Sequence, residues 1–157
     1  IDGQGRMTMH KLYLDPFMDM YNGEILSYGI SKTPSAVNVM TALEAAIKIT
    51  ADCRYRRTFH SDQGWAYQMK DYVRRLKDER IFQSMSRKGN CHDNSVMENF
   101  FGRLKVEMFY GEEARYSDYG SLKKALRDYI AGYNSSRLKE YLHWKSPQEA
   151  LSNSGTL

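Results

Sequence analysis

The chain has 157 residues and a mass of 18.3 kDa, which is the size of one ordinary domain. With 41% hydrophobic and 27% charged residues, it lies in the normal globular range, which excludes a disordered tail, a collagen-like repeat and a membrane protein. No apolar run approaches the roughly 20 residues that a bilayer span requires, and the first residues do not follow the layout of a signal peptide. We therefore expect a cytoplasmic protein, and a chain that opens on Ile1 is typical of a fragment.

The net charge of +4 is unevenly distributed. Residues 1–52 carry four Lys/Arg against six Asp/Glu, whereas residues 53–157 carry 19 against 13. This asymmetry suggests a polyanionic partner, although many surfaces of that charge are merely solvated.

The chain contains two cysteines, Cys53 and Cys91. A domain with a real core does not need a disulfide, and neither cysteine has a second one at metal-binding spacing. We expect both to be free thiols.

The first structural pattern is a β-hairpin. Two β-prone runs, residues 11–20 and 24–30, flank the turn dipeptide Asn22-Gly23.

Helical periodicity then alternates with short strands. We predict helices over residues 35–50, 67–80, 94–109 and 117–134, strands over 56–61 and 81–85, and a polar loop over 86–93. Ser146-Pro147-Gln148-Glu149 is a capping box that opens a short last helix. This order predicts an α/β domain with a mixed sheet flanked by helices.

Two carboxylates form the sharpest candidate site. Asp62 follows a predicted strand, in His60-Ser61-Asp62-Gln63-Gly64, and Glu98 lies inside a predicted helix. Ligand sites of α/β sheets gather at the carboxyl ends of strands. Carboxylates that converge there can hold Mg²⁺ or Mn²⁺, which prefer oxygen ligands.

Each carboxylate also has a structural explanation. Asp62 could form a turn by accepting a hydrogen bond from its own backbone. Glu98 completes a Ser95-x-x-Glu98 capping box that needs no metal. Together, their spacing and flanks favour the site.

Four motifs carry a family resemblance. They are Leu12-Tyr13-Leu14 with Met18-Asp19-Met20-Tyr21-Asn22, His60 to Trp65, Ser84 to Cys91, and Asp93-Asn94 through Glu98-Asn99-Phe100-Phe101 to Glu107. In this order and spacing they resemble the integrase catalytic core of bacterial insertion-sequence transposases, over nearly the whole chain.

The resemblance implies a ribonuclease-H-like fold and a triad of two aspartates and one glutamate that holds two metal ions, Mg²⁺ or Mn²⁺. It places the second aspartate at Asp62 and the glutamate at Glu98. The first aspartate belongs to an opening strand in a Thr-Asp-x-Thr context. Asp2 has nearly that position, although its neighbours Ile1 and Gly3 do not match, and Asp19 is the alternative.

The implied activity is phosphoryl transfer on DNA, with cleavage that frees a 3′-hydroxyl at the transposon end and strand transfer by that hydroxyl into target DNA. Two cations about 3.5–4 Å apart can bind both the attacking and the departing oxygen of such a displacement. No Ser or Tyr nucleophile is needed.

Several further residues are candidate DNA contacts. Lys105 lies two helical turns after Glu98 on the same face, where it could contact a phosphate or simply be solvated. Arg87, Lys88 and Asn90 flank Gly89 in a loop that resembles the family's mobile active-site loop. His60 and His92 could act as general acids, but a strand histidine is more often only packed and hydrogen-bonded.

A basic surface could track phosphates and give salt-sensitive binding. Its members are Arg54, Arg56, Arg57, Arg74, Arg75, Lys77, Lys123, Lys124 and Arg127. No helix-turn-helix or zinc-finger pattern is present, so recognition of transposon ends would need an N-terminal DNA-binding part that residues 1–157 lack. The resemblance also implies a homo-oligomer in the active complex with DNA.

Two other functions stay open at this stage. One is a ribonuclease-H-like nuclease that only hydrolyses, and the other is a non-catalytic DNA-binding or assembly module.

Overall fold

The computed structural model describes residues 11–137, 139 and 142–153. Over these residues the chain is a mixed α/β domain. Its strands and α-helices are β1 (Tyr13–Met18), β2 (Ile25–Ser31), α1 (Ala36–Ile49), β3 (Thr58–Ser61), α2 (Lys70–Asp78), β4 (Phe82–Met85), α3 (Ser95–Leu104), α4 (Tyr119–Ser135) and α5 (Pro147–Asn153). Each helix and strand predicted within these residues is present; most are shorter than predicted, whereas β2 and α4 each end one residue later than predicted.

The predicted hairpin is confirmed. Strands β1 and β2 pair antiparallel from Tyr13 opposite Ser31 to Met18 opposite Ile25, with an irregularity at the Met18 end. The connection is longer than the expected two-residue turn: backbone hydrogen bonds join Asp19 to Gly23 and to Glu24. Gly23 has φ +75°, a conformation that favours glycine.

Strands β3 and β4 form a parallel pair, with Thr58 opposite Phe82 and Ser61 opposite Met85. Helix α2 lies between them in sequence, which is the connection that parallel strands require. Among the described residues, the hairpin and the parallel pair are two separate two-stranded sheets. Because the strands are parallel, their carboxyl ends lie at one edge.

Helix α1 shows how local sequence sets an element. It begins after Ser35, whose side chain accepts a hydrogen bond from the backbone N–H of Asn38. Its apolar stripe, Val39, Leu43 and Ile47, is buried as its periodicity predicted.

Two hydrophobic clusters hold the domain together. The first joins the hairpin to α3 and α4, and the second joins α1 to α2. The first contains Ile25, Phe100, Leu104, Met108, Leu126, Ile130 and Tyr133, and the second contains Val39, Leu43, Ile47, Ala66, Tyr72, Leu76 and Ile81.

The helix predicted over residues 94–109 changes type along its length. It is α-helical over Ser95–Leu104 and continues as a π-helix over Lys105–Phe109, where the N–H of Tyr110 reaches the carbonyl of Lys105. Val96, in the first turn of this helix, is 40% exposed. The last helix begins with the predicted capping box: the Ser146 N–H donates to Oε2 of Glu149 at 2.8 Å.

No helix among the residues that the structure describes is both long and apolar enough to cross a membrane.

Candidate active site

Asp62 follows directly after β3, at the carboxyl end of the parallel pair. Its Oδ1 accepts a hydrogen bond of 2.7 Å from the N–H of Gly64, so the turn proposed for Asp62 is present. A Cβ on Gly64 would lie 2.8 Å from that oxygen, which is why glycine fits here. Oδ2 accepts no hydrogen bond among the described residues, and the exposed carboxylate keeps this oxygen for a ligand.

Glu98 lies in the first turn of α3 and is exposed. The capping-box explanation for Glu98 is wrong: Ser95 is the first helical residue rather than the cap, and Asn94, which precedes it, makes no side-chain capping bond. The Glu98 carboxylate therefore makes no capping-box hydrogen bond with Ser95.

Both carboxylates line one open cleft of about 330 Å³. The side opposite Asp62 is formed by the loop after β4 and the start of α3. The remaining lining residues are Gln63, Ser86, Arg87, Lys88, Gly89, Asn90 and Asn94. The fold thus brings to one cleft five of the residues singled out from the sequence: Asp62, Glu98, Arg87, Lys88 and Asn90.

We define residues 86–94 as the cleft loop. Hydrogen bonds hold its first residue, Ser86, against the end of β3. The N–H of Ser86 donates to the Ser61 carbonyl at 2.8 Å, and Gln63 Nε2 donates to the Ser86 carbonyl at 3.1 Å. The two ring nitrogens of His60 lie 2.9 Å from Ser84 Oγ and 3.1 Å from Ser86 Oγ. His60 is therefore a hydrogen-bonded strand residue.

An ion pair between Arg87 and Asp93 joins the two ends of the cleft loop, and we call this part of the loop its neck. Asp93 accepts from the Arg87 backbone N–H at 3.0 Å and from the Arg87 guanidinium at 3.0 and 3.1 Å. These hydrogen bonds and the positive charge lower the pKa of Asp93 to about 2. Between them, Gly89 has φ +74° with open space around it, so the tip is a tight turn.

The sequence analysis did not predict this ion pair between Arg87 and Asp93. The signal was an arginine and an aspartate six residues apart, bracketing a glycine turn. Of the loop cations, Arg87 is paired with Asp93, whereas Lys88 makes no ion pair among the described residues.

Tyr67 lies close enough to Asp62 and to a second acid, Asp15, to be affected by both charges. The sequence analysis did not single out Asp15. Burial, together with the negative charges of Asp15 and Asp62, raises the pKa of Tyr67 to about 12. Asp15 lies on β1, and burial raises its own pKa above the usual range. An acid at this place in the hairpin carried no recognisable signal.

Two other candidate residues, Lys105 and Asp19, do not line the cleft. Lys105 is exposed at the start of the π-helix and does not line the cleft. Asp19, the alternative for the first aspartate, lies in the hairpin loop, where it accepts a hydrogen bond from the Tyr21 N–H. It does not line the cleft. Asp2 lies outside the described residues, and so does its predicted opening strand.

The oxygen donors of the cleft suit a hard divalent cation, since Mg²⁺ is bound by one or two carboxylates and keeps several waters for its substrate. Asp62 and Glu98 meet this description. Within the described ranges, no cluster of three acidic, histidine or cysteine side chains is placed to hold a metal. The part of the chain that is described thus supplies two of the three expected acids.

Some residues of the predicted basic surface form ion pairs within the domain and others do not. Arg57, Arg74, Arg75 and Lys124 are bound to acids within the domain. Arg54 and Arg56 make no ion pair among the described residues, and Cys53 beside them is an exposed free thiol.

Comparison with known proteins agrees with this architecture. Two family models, both described as integrase core domain, match residues 1–91 and 98–149. Among curated proteins, the chain is 45% identical over 139 residues to the putative transposase InsK for insertion sequence element IS150 of Escherichia coli K12, covering 88% of the chain and 48% of that protein. It is 42% identical to an uncharacterized transposase-like protein of Haemophilus influenzae, covering 87% of the chain and 62% of the relative.

The chain thus spans roughly half to three-fifths of these two curated relatives. Solved structures give the same fold at low sequence identity. The HTLV-2 integrase catalytic core domain in complex with magnesium aligns with a TM-score of 0.66 at 14% identity, covering 92% of this chain and 88% of that one. The BIV integrase catalytic core aligns with a TM-score of 0.61 at 17% identity, covering 94% and 97%.

These structures carry the mixed α/β, ribonuclease-H-like architecture predicted from the motifs, and the family match extends over more than half of the chain. The chain belongs to the integrase core domain family.

Proposed function

We propose that this chain is the catalytic core of a bacterial insertion-sequence transposase, which cleaves the 3′ ends of its element and joins them to target DNA. The observation that carries the proposal is the shared cleft, where Asp62 and Glu98 face a loop that bears Arg87 and Lys88. Curated relatives named as transposases support the same reaction class.

Asp62 and Glu98 would hold the divalent cation, and Asp2 would complete the triad. Mg²⁺ or Mn²⁺ in such a site neutralises the charge that develops on the phosphoryl group, and a pair of ions would bind both the attacking and the departing oxygen. The hydrogen bond from the Gly64 N–H engages Oδ1 of the Asp62 carboxylate, and Oδ2 accepts no hydrogen bond among the described residues.

The cleft loop would hold the DNA strand against these carboxylates. Lys88 at its tip is available for a phosphate, and Asn90 beside it adds a polar side chain. Arg87 would contact DNA from a fixed direction, because Asp93 holds its guanidinium. Lys105, on the same helix as Glu98, would contact a phosphate further along the strand.

Metal binding tests the site without any assumption about DNA sequence. Calorimetric titration with Mn²⁺ should detect binding to the 157-residue chain, and Asp62→Asn or Glu98→Gln should abolish it. Matched controls are Asp52→Asn and Glu113→Gln, since both acids are exposed and lie outside the cleft. Unchanged Mn²⁺ affinity in both cleft variants would contradict the assignment.

Strand joining separates a transposase from a nuclease that only hydrolyses. A labelled duplex with a free 3′-hydroxyl serves as donor and supercoiled plasmid as target, in Mn²⁺. Covalent transfer of label to the plasmid is expected, and Glu98→Gln should lose it while Glu113→Gln retains it. Nicking without transfer would favour hydrolysis alone, and neither product would favour a non-catalytic module.

Asp2→Asn tests the first member of the triad in the same assay. Loss of strand transfer with an unchanged circular dichroism spectrum would assign Asp2. Full activity would transfer the role to another acid, for which Asp15 is the next variant to make.

The same proposal implies that the chain binds DNA, is active as a homo-oligomer and is located in the bacterial cytoplasm. The HTLV-2 integrase catalytic core domain, which has a similar fold, has been solved in a dimeric form and in a trimeric form. Light scattering of this chain with and without DNA would measure its own oligomeric state.

A further inference from the structure

A second cationic surface lies at the opposite end of the parallel strands from the cleft. Asp62 and Ser86 follow the carboxyl ends of β3 and β4, whereas Arg56 and Arg80 precede their amino ends. Each strand has four residues, which separates the two ends by about 13 Å at about 3.3 Å per residue. We call residues Arg54, Tyr55, Arg56, Arg80 and Phe82 the arginine–aromatic patch.

The arginines of this patch differ from their neighbours in charge pairing. Arg57 and Arg75 are neutralised by Glu79, and Arg75 also by Glu44. Arg54, Arg56 and Arg80 are exposed and make no ion pair with any described residue, Asp52 and Asp78 included. Their positive charges are therefore available to an external anion.

Exposed aromatic rings lie among these arginines. Tyr55 is 84% exposed between Arg54 and Arg56, and Phe82 is 52% exposed on β4. The Arg56 guanidinium lies over the Phe82 ring, 5.7 Å from its centre, which is within the range of a cation–π contact. Alternating arginine and flat exposed rings suit a nucleic acid strand, whose phosphates and bases alternate in the same way.

The backbone at Arg80 adds an independent observation. Arg80 follows the end of α2 and has φ +56°, and the N–H of Ile81 returns to the Leu76 carbonyl, the pattern of a helix end at which glycine is the usual residue. A non-glycine residue in this conformation costs of order 1 kcal/mol. An exposed arginine thus stands where local folding alone would favour glycine.

We propose that the arginine–aromatic patch is a second DNA-binding surface, which holds the sugar-phosphate backbone through Arg54, Arg56 and Arg80 and stacks a base on Tyr55. It is separate from the catalytic cleft and does not depend on the chemistry there. Its position at the far end of β3 and β4 means that DNA bound to it is either a second segment or a distant part of the strand in the cleft.

Salt-dependent binding tests the patch. Anisotropy of a labelled 30-base single strand and of the corresponding duplex would be titrated with the 157-residue chain at several salt concentrations. Each phosphate contact contributes about 0.7 to 0.9 to the slope of log K against log salt. Arg54→Ala/Arg56→Ala should therefore reduce the slope by about 1.4 to 1.8, and Tyr55→Ala should weaken single-strand binding more than duplex binding.

The matched control is Arg74→Ala/Lys124→Ala. It removes the same net charge, but from residues already paired with Asp71 and Asp128, so its slope should change by less than about 0.5. Equal slopes for the patch variant and the wild type, or equal changes in patch variant and control, would overturn the proposal, and would leave an acidic protein as the partner to seek.

Mn²⁺ titration keeps this proposal distinct from the catalytic one. Arg54→Ala/Arg56→Ala should bind Mn²⁺ as the wild type does. Conversely, Asp62→Asn should lose Mn²⁺ while the patch-dependent part of the salt slope persists in metal-free buffer.

Discussion

The buried amide of Asn134 is predicted to be one of the most costly polar groups to remove from the domain. Its Oδ1 accepts from the Ile25 N–H at 2.8 Å, and its Nδ2 donates to the Ile25 carbonyl at 2.9 Å. The amide thus pairs with the backbone of β2 as a neighbouring strand would. Asn134 is 9% and Ile25 3% exposed, so water has little access to either group.

Asn134→Ala leaves both polar groups of Ile25 without their partner. An unsatisfied buried donor or acceptor costs about 1–3 kcal/mol, so for the two groups of Ile25 we expect the free energy of unfolding to fall by about 2–6 kcal/mol. This is a large share of the roughly 5–15 kcal/mol that holds a typical domain.

Urea unfolding followed by circular dichroism measures this loss. With a slope of about 1–3 kcal/mol per molar urea, the midpoint should fall by at least about 0.7 M. Asn134→Asp retains an acceptor for the N–H but turns a carboxylate toward the carbonyl, so it should destabilise as well. Ser135→Ala is the control, because its exposed hydroxyl bonds to the Ala131 carbonyl and the neighbouring Ser136 hydroxyl at the end of the same helix, and not to β2.

A loss below about 0.5 kcal/mol for Asn134→Ala, or one equal to that of Ser135→Ala, would refute this reasoning. It would mean that water replaces the amide at β2 without cost.

Three other changes have defined outcomes. Leu43→Ala empties a fully buried site in the second cluster and should cost about 2–5 kcal/mol in urea unfolding, and a smaller loss would show that the site collapses. Ser146→Ala removes the cap of the last helix and should cost about 0.5–2 kcal/mol, with no loss if water satisfies the helix end. The Asp93 carboxyl should titrate near pH 2 by NMR, and Arg87→Gln should move the midpoint up toward 3.8, whereas an unchanged midpoint would exclude the ion pair as its cause.

The sign of the Asp93 effect follows from its lowered pKa. A carboxyl group whose pKa is lower in the folded state stabilises that state above its unfolded pKa, and this contribution is lost as pH falls from 3.8 toward 2. The neck of the cleft loop should therefore become more accessible to acid-active proteases such as pepsin over this interval, and Arg87→Gln should be cleaved at higher pH as well.

Helix α1 and the hairpin were predictable because their signals are local. Ser35 caps α1 and the apolar stripe has one consistent period, so backbone and packing preferences agree. The π-helix over Lys105–Phe109 was not predictable, since a change of helix type depends on how Met108 is packed against the core.

The two alternatives weighed for the carboxylates had different outcomes for physical reasons. The turn at Asp62 is present together with an available oxygen, because one carboxylate oxygen is enough for the turn. The capping box at Glu98 fails because the helix begins at Ser95, one residue earlier than that pattern requires.

By itself, the sequence determined the order of elements, the apolar faces of α1 and α4, and the chemical identity of the residues at the strand ends, because these depend on periodicity and on neighbours in the chain. Only the tertiary structure decided which charges remain available. It pairs Arg87 with Asp93 and Arg75 with Glu44 and Glu79, and it places no described acid in an ion pair with Arg54 or Arg56. Ion pairs between distant segments depend on how strands and helices are placed against one another, and the spacing of residues along a chain carries no record of that placement.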